Sequence, residues 1–264
     1  TSIIIPASVI SIGDGAFYAT ALTSIIIPAS VISIGRSAFG TCPDLTTATF
    51  AAGSVLESIG GNAFSFTALT TIEIPASVTS IGNYAFRADD KLTSVTFAAD
   101  SVLESIGNGA FTVTAITSIT IPASVISIGE YVFYLCTSLT SVTFIASTGT
   151  TTGGVTGIDI DEEAFNGIAA LDNVFIKDGQ VINSIATSTS VDTTGVFFGS
   201  PITTTIRSYE ITGTGVFNAV DYADAFSPPY AILAEGWTDI GDIAFQSTAI
   251  TSITIPASVT SIGT

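Results

Sequence analysis

Leu22-Thr-Ser-Ile-Ile-Ile-Pro-Ala-Ser-Val-Ile-Ser-Ile-Gly-Arg-Ser-Ala-Phe39 is the stretch on which the fold turns, and it returns nearly intact as Ile116–Phe133. Its core, Ile-Pro-Ala-Ser-Val-x-Ser-Ile-Gly, stands at Ile5–Gly13, Ile27–Gly35, Ile74–Gly82, Ile121–Gly129 and Ile255–Gly263. Between these copies lies a second flavour with Phe-Ala in place of Ile-Pro, from Phe50 to Gly60, from Phe97 to Gly107, and more weakly from Phe144. Units open at Leu22, Leu45, Leu69, Leu92, Ile116 and Leu139, so the spacing alternates between 23 and 24 residues. A 47-residue double repeat follows, with Pro28, Pro75 and Pro122 on one phase and Phe50, Phe97 and Phe144 on the other.

Within a unit, Leu69, Ile72 and Ile74 point one way and Thr71 and Glu73 the other, the two-residue period of a half-buried strand. Proline ends the strand because it has no N–H for a ladder. Val78 and Ile81 form a second apolar pair, Gly82 marks a turn, and Ala85-Phe86 sends a ring inward. A unit of this length cannot bury its apolar side alone, so copies must stack and share one core. The stack predicts a column of Phe17, Phe39, Phe64, Phe86, Phe111, Phe133, Phe165 and Phe245. The expected fold is a leucine-rich-repeat solenoid, with a parallel sheet on one face and short strands, turns and short helical turns on the other. It spans residues 1–264 as a single solenoid, regular over 1–145 and 236–264 and irregular over 146–235. The chain enters and leaves in mid-repeat, as expected of a piece of a longer protein.

The motif at Leu22–Phe39 and Ile116–Phe133 resembles the BspA-type leucine-rich repeat, over residues 1–145 and 236–264. The resemblance implies a curved solenoid in surface-exposed or secreted proteins of bacteria and some microbial eukaryotes, often associated with adhesion. An extracellular or cell-surface location is the corresponding expectation. Fold does not fix function.

The irregular part holds a Thr/Gly run at 147–157, candidate degenerate strands at Leu171–Ile176 and Ile202–Ile206, and an excursion at Val216–Tyr230 with Pro228-Pro229. These are either loops on a continuous solenoid or the carriers of partner specificity, which loops on rigid scaffolds often are.

Composition narrows the function classes. Five basic residues stand against 22 acidic ones, for a net charge of −17. Phosphate backbones are held by clustered Lys and Arg, so nucleic acid is not an expected partner, nor is an anionic membrane surface. Residues 111–129 are uncharged, but their regular Ser and Thr and Pro122 do not suit a span of about 20 apolar residues. There is no His, which removes Ser-His-Asp and Cys-His catalysis. No phosphate-binding, dinucleotide or metalloprotease motif occurs, and the expectation is a non-enzyme. No Asn begins an Asn-x-Ser/Thr sequon.

The outward strand positions predict a ladder: Thr47/Thr49, Thr71/Glu73, Ser94/Thr96, Ser118/Thr120, Ser141/Thr143 and Ser252/Thr254. Such a surface suits a protein or glycan ligand, or a regular mineral or ice lattice, although Thr also simply favours exposed strands. End-to-end stacking of copies into a filament is a further alternative. Cys42 and Cys136 each follow a column Phe by three residues, in line with Thr20, Thr67, Thr114 and Thr248. Four coils at about 4.8 Å each place them about 19 Å apart, too far for a disulfide, so both are expected unpaired. Asp159, Asp161, Glu162 and Glu163 cluster closely enough to hold Ca2+, or form a solvated acidic face. No other cofactor is expected.

Overall fold

The computed structural model describes residues 2–145, 158–161 and 163–168, and from 173 to 262 the backbone of a set of short segments. Sixteen strands alternate along residues 2–184. They are β1 (Ser2–Ile4), β2 (Ser11–Ile12), β3 (Ser24–Ile27), β4 (Ser33–Ile34), β5 (Thr47–Phe50), β6 (Ser58–Ile59), β7 (Thr71–Ile74) and β8 (Ser80–Ile81). Then follow β9 (Ser94–Phe97), β10 (Ser105–Ile106), β11 (Ser118–Ile121), β12 (Ser127–Ile128), β13 (Ser141–Phe144), β14 (Ile158–Ile160), β15 (Asn173–Ile176) and β16 (Ile182–Ser184). Each odd strand lies on one side of the coil and each even strand on the other. Every pairing among them is parallel, as a solenoid requires.

The even strands form one uninterrupted eight-stranded sheet. From β2 to β12 each is a Ser pointing out and an Ile pointing in, and in β14 Asp159 takes the outward place. The odd strands carry the alternation expected of them: Thr71 exposed, Ile72 buried, Glu73 exposed, Ile74 buried. Their sheet is split, into β1-β3-β5, β7-β9 and β11-β13-β15. Two features coincide at each split. After β3 the next coil's Ala51 N–H donates to the Ile27 carbonyl (2.9 Å), and after β7 Ala98 does the same to Ile74 (3.0 Å). After β5 and β9 the matching residue is Pro75 or Pro122, which has no N–H to give. Pro28 has the same defect, yet β1 and β3 stay paired across a 22-residue step from Ser2 to Ser24. The splits fall only where the preceding coil carries the longer Phe-Ala-Ala-x turn, closed by Gly53 (φ 74°) or Asp100 (φ 59°).

Helical turns are not found among the described residues. The Phe corner instead alternates right- and left-handed backbone. Tyr84 and Ala88, flanking Phe86, both have φ 58°. The same two places are left-handed at Ser37/Thr41, Asn62/Phe66 and Tyr131/Leu135. A left-handed non-glycine residue costs about 1–3 kcal/mol, and the hydrogen bonding explains why it is tolerated. The alternation turns every second N–H along the stacking axis: Tyr84, Phe86 and Ala88 donate to Asn108, Ala110 and Thr112, each at 2.8 Å. A regular helix would direct those donors into its own turn. The corner is therefore a third inter-coil ladder, which compensates the local strain with one bond per rotated peptide.

The Phe column is present as expected from Phe17 to Phe165. Successive rings stack at 5.2, 5.1, 5.5, 5.4, 5.8 and 4.9 Å. Phe39, Phe64, Phe86, Phe111, Phe133 and Phe165 are fully buried, within one core that also takes in the Leu, Ile and Val columns. Phe245 lies outside the described residues.

The Thr/Gly insertion does not shift the register across it. Ser127 pairs with Asp159 and Ile128 with Ile160, while Ser141 pairs with Asn173. The candidate strand at Leu171–Ile176 is thus β15, and Ile202–Ile206 lies outside the described residues. Further on, Tyr209–Ile211, Tyr230–Leu233 and Ser252–Thr254 form a parallel set, as do Gly215–Phe217, Trp237–Ile240 and Ser261–Ile262. Both ends of the segment expected to be an irregular excursion therefore belong to stacked strands. Val191–Asp192, Val196–Phe197 and Ser200–Pro201 pair antiparallel.

Candidate binding face

Two groups of described side-chain hydroxyls differ in what they bond. One group is consumed by the stack. Ser30 donates to the Val9 carbonyl (2.7 Å), Ser77 to Leu56 (2.8 Å) and Ser124 to Ser101 (2.9 Å), so the recurring Ser after Pro-Ala ties each turn to the coil before it. Thr46, Thr93 and Thr140 do the same for the carbonyls of Thr23, Thr70 and Thr117. The other group is the ladder. Thr47, Thr49, Thr71, Thr96, Ser118 and Thr120 are exposed, and Ser94, Ser141 and Thr143 half-buried. None of these side chains hydrogen-bonds to another described residue. Their strands bring them into line, Thr71 beside Ser94, Glu73 beside Thr96, and Thr120 beside Thr143. Ser252 and Thr254 lie on a strand of the C-terminal parallel set.

The ladder has two features not read from the sequence. Its first outward positions are apolar: Ile4 and Ile26, 91% and 65% exposed, stand in register with Thr49. The repeat itself signals this, since the first two copies read Ile where the next five read Thr or Glu. Second, a groove of about 660 Å³ lies at the split between β9 and β11. Ser94, Thr96, Ser118 and Thr120 line it with hydroxyls, Phe97, Pro122 and Ile145 with apolar surface, and Asp100 brings the one charged side chain. The volume falls in the range of about 300–1,000 Å³ common for small-ligand sites. The three described basic residues, Arg36, Arg87 and Lys91, are on the Phe-corner side of the coil. Arg87 lies over the rings of Phe66 and Tyr84 there, at 5.4 and 5.6 Å.

Cys42 and Cys136 are buried and unpaired. Each sits against the coil before it, Cys42 at 3.3 Å from the Thr20 hydroxyl and Cys136 at 3.2 Å from that of Thr114. Burial pushes the Cys136 thiol up to about 11. Thiol reagents are therefore expected to label neither cysteine until the chain unfolds, which a labelling time course in native and denaturing buffer measures.

Three of the four clustered acids are among the described residues. Asp159 points out from the even-strand sheet beside Ser127. Asp161 takes the place that Gly129 holds one coil earlier and accepts the Glu163 N–H (3.0 Å). Glu163 accepts from the Tyr131 hydroxyl, which raises that phenol to about 12. Glu162 lies outside the described residues, and among those described no three potential ligands come together. No described helix is long and apolar enough to cross a membrane.

Among solved structures, the chain is similar to the pneumococcal vaccine antigen PcpA, at 20% identity over 96% of this chain and 73% of that one, with a TM-score of 0.53. That likeness concerns the fold. A leucine-rich cell surface protein of Faecalibacterium prausnitzii is 26% identical over 99% of this chain and 87% of its own, with a TM-score of 0.44. No curated protein matches the chain. The BspA type leucine rich repeat region matches in six copies, over residues 1–100, 57–156, 104–211 and 155–264. With a repeat that matches from end to end, the chain belongs to the BspA-type leucine-rich-repeat family.

Proposed function

We propose that the chain is a non-catalytic binding module of the cell surface, and that its contact surface is the outer face of the odd strands, centred on the groove between β9 and β11. The observation that carries this reading is the division of hydroxyls. The hydroxyls of Ser30, Ser77, Ser124, Thr46, Thr93 and Thr140 tie one coil to the next, while those of the ladder from Thr47 to Thr143 have no hydrogen-bond partner among the described residues. Being short, ladder side chains have little rotamer freedom to lose when a ligand orders them. The extracellular setting rests on the family.

The face also restricts its partner. It carries Glu73 and Asp100 and no described basic side chain, so a neutral or cationic ligand fits and a phosphorylated or sulfated one does not. Neutral glycan and protein surface are both compatible with it. The splits favour a discrete groove over a continuous lattice-matching plane, because the ladder is broken into groups of three, two and three strands.

Substituting Thr96, Thr120 and Thr143 together by Lys tests the reading. Binding to immobilised neutral glycans and extracellular-matrix proteins is expected to weaken more than tenfold. Ser58, Ser80 and Ser105 replaced by Lys on the opposite sheet serve as the control, with binding unchanged. Equal affinity of the ladder variant and the parent chain would move the contact surface elsewhere.

A further inference from the structure

The third position after each column Phe forms a polar seam inside the stack: Thr20, Cys42, Thr67, Asp89, Thr114 and Cys136. Threonine alternates with a second residue type, and the second type has a fixed task. Cys42 donates its S–H to the Phe17 carbonyl and Cys136 to the Phe111 carbonyl, both at 3.1 Å. Both acceptors lie 25 residues back. Asp89 occupies this donor position in the coil between them, where the matching acceptor is the Phe64 carbonyl. It is fully buried. Its Oδ1 accepts the Thr67 N–H at 2.6 Å, and its Oδ2 is buried with no donor to accept from.

An ionised carboxylate has four acceptor sites and no proton to give. In the place where the thiols of Cys42 and Cys136 meet a carbonyl, an ionised carboxylate would be undersolvated and have no proton to offer, at a cost few buried groups sustain. We propose that the folded chain carries Asp89 as the neutral acid, its Oδ2–H donating to the Phe64 carbonyl as a thiol does in the coils of Cys42 and Cys136, and that this makes the solenoid a pH-sensitive stack whose middle coil loosens as pH rises. No nearby cation opposes this. The preceding turn offers Thr67 and Ala68 and the following turn Thr114 and Ala115, none of them titratable over this range. On its own turn, Asp90 adds like charge and pairs at 3.5 Å with Lys91 in an exposed contact, while Arg87 is engaged over Phe66 and Tyr84. Burial is the largest influence on the group and, with Asp90, raises its pKa well above the ordinary aspartate value, against the lowering effect of Thr67.

The sign follows from proton linkage. The folded pKa lies above the unfolded value of about 3.9, so the folded state holds the extra proton. The stabilising contribution is complete below about pH 4 and is lost as pH rises toward the folded pKa.

Asp89→Asn is the test, because an amide keeps both bonds, accepting from Thr67 and donating to Phe64, without titrating. The full chain and this variant are unfolded in parallel from about pH 4 to pH 8. General repulsion among the acidic residues affects both alike and cancels in the comparison. The unfolding constant of the parent relative to the variant is expected to grow by about tenfold per pH unit above about pH 4, until the folded acid titrates. Asp89→Cys, copying the neighbouring coils, is expected to show the same insensitivity, and it decides the matter if the Asn variant does not fold. A parent-minus-variant infrared spectrum at about pH 5 is expected to contain a protonated-carboxyl band, since an ordinary aspartate with a pKa of about 3.9 is ionised there. A pH-independent ratio, or the absence of that band, would overturn the proposal.

Discussion

Replacing Phe86 by alanine lowers the stability of the chain by about 3–5 kcal/mol, the range for truncating a fully buried aromatic. Its ring is inaccessible to solvent and lies between Phe64 and Phe111, at 5.5 and 5.4 Å. The loss has two parts. Apolar surface is no longer removed from water, and the void left behind cannot collapse, because the backbone at residues 84, 86 and 88 is pinned to the next coil by three 2.8 Å bonds. Phe17→Ala supplies the comparison. That ring is only partly buried and stacks on Phe39 alone among the rings described, so its truncation costs less. Denaturant unfolding of both variants, followed by circular dichroism, gives the two numbers. Equal costs would mean that the column does not act through its interior position.

The second large effect is expected from adding a single methyl group. A Cβ built on Gly82 lies 2.6 Å from the Gly61 nitrogen, 2.8 Å from the Gly60 carbonyl carbon and 3.0 Å from the Ile59 oxygen. All three atoms are backbone of the preceding coil, so no side chain can swing away. The coils have to separate, and the Gly82 N–H to Ile59 carbonyl bond of 2.8 Å is stretched with them. Gly82→Ala is expected to cost about 3 kcal/mol, at the upper end of ordinary overpacking. Gly13 occupies the same place in the first described coil and has nothing within 4 Å of its added Cβ. Gly13→Ala should therefore be neutral or stabilising by up to about 1 kcal/mol, through the lower entropy of the unfolded chain. The two substitutions are chemically identical, and only the one at Gly82 should destabilise the chain. Calorimetric midpoints measure this, and a similar shift in both would refute the close-approach explanation.

Much of this architecture was legible because the repeat turns sequence position into spatial column. The Phe column from Phe17 to Phe165 and the outward Ser and Thr from Thr47 to Thr143 follow from counting residues, and the described structure has them in those places. What escaped depends on relations between coils of different length. Pro28, Pro75 and Pro122 each follow directly on the last residue of a strand, as their missing N–H predicts. That Pro75 and Pro122 split the sheet while Pro28 does not depends on the preceding coil having the longer Phe-Ala-Ala-x turn, a fact about pairs of coils. The groove lies at one of those splits. Left-handed backbone at Tyr84, Ala88 and Leu135 has no signature in those side chains, since inter-coil hydrogen bonding imposes it against their preference. Asp89 is a different case. It stands three residues after Phe86, in the column already identified from Thr and Cys, and the same count finds it.

The groove between β9 and β11 is the centre of the functional reading, and hydrogen exchange of the chain with and without a bound glycan or matrix protein tests it most directly. Binding is predicted to slow exchange at residues 94–101 and 118–124 and to leave the Phe corner around Tyr84, Arg87 and Tyr131 unchanged. Protection confined to the Phe corner, with the ladder exchanging as in the free chain, would contradict it.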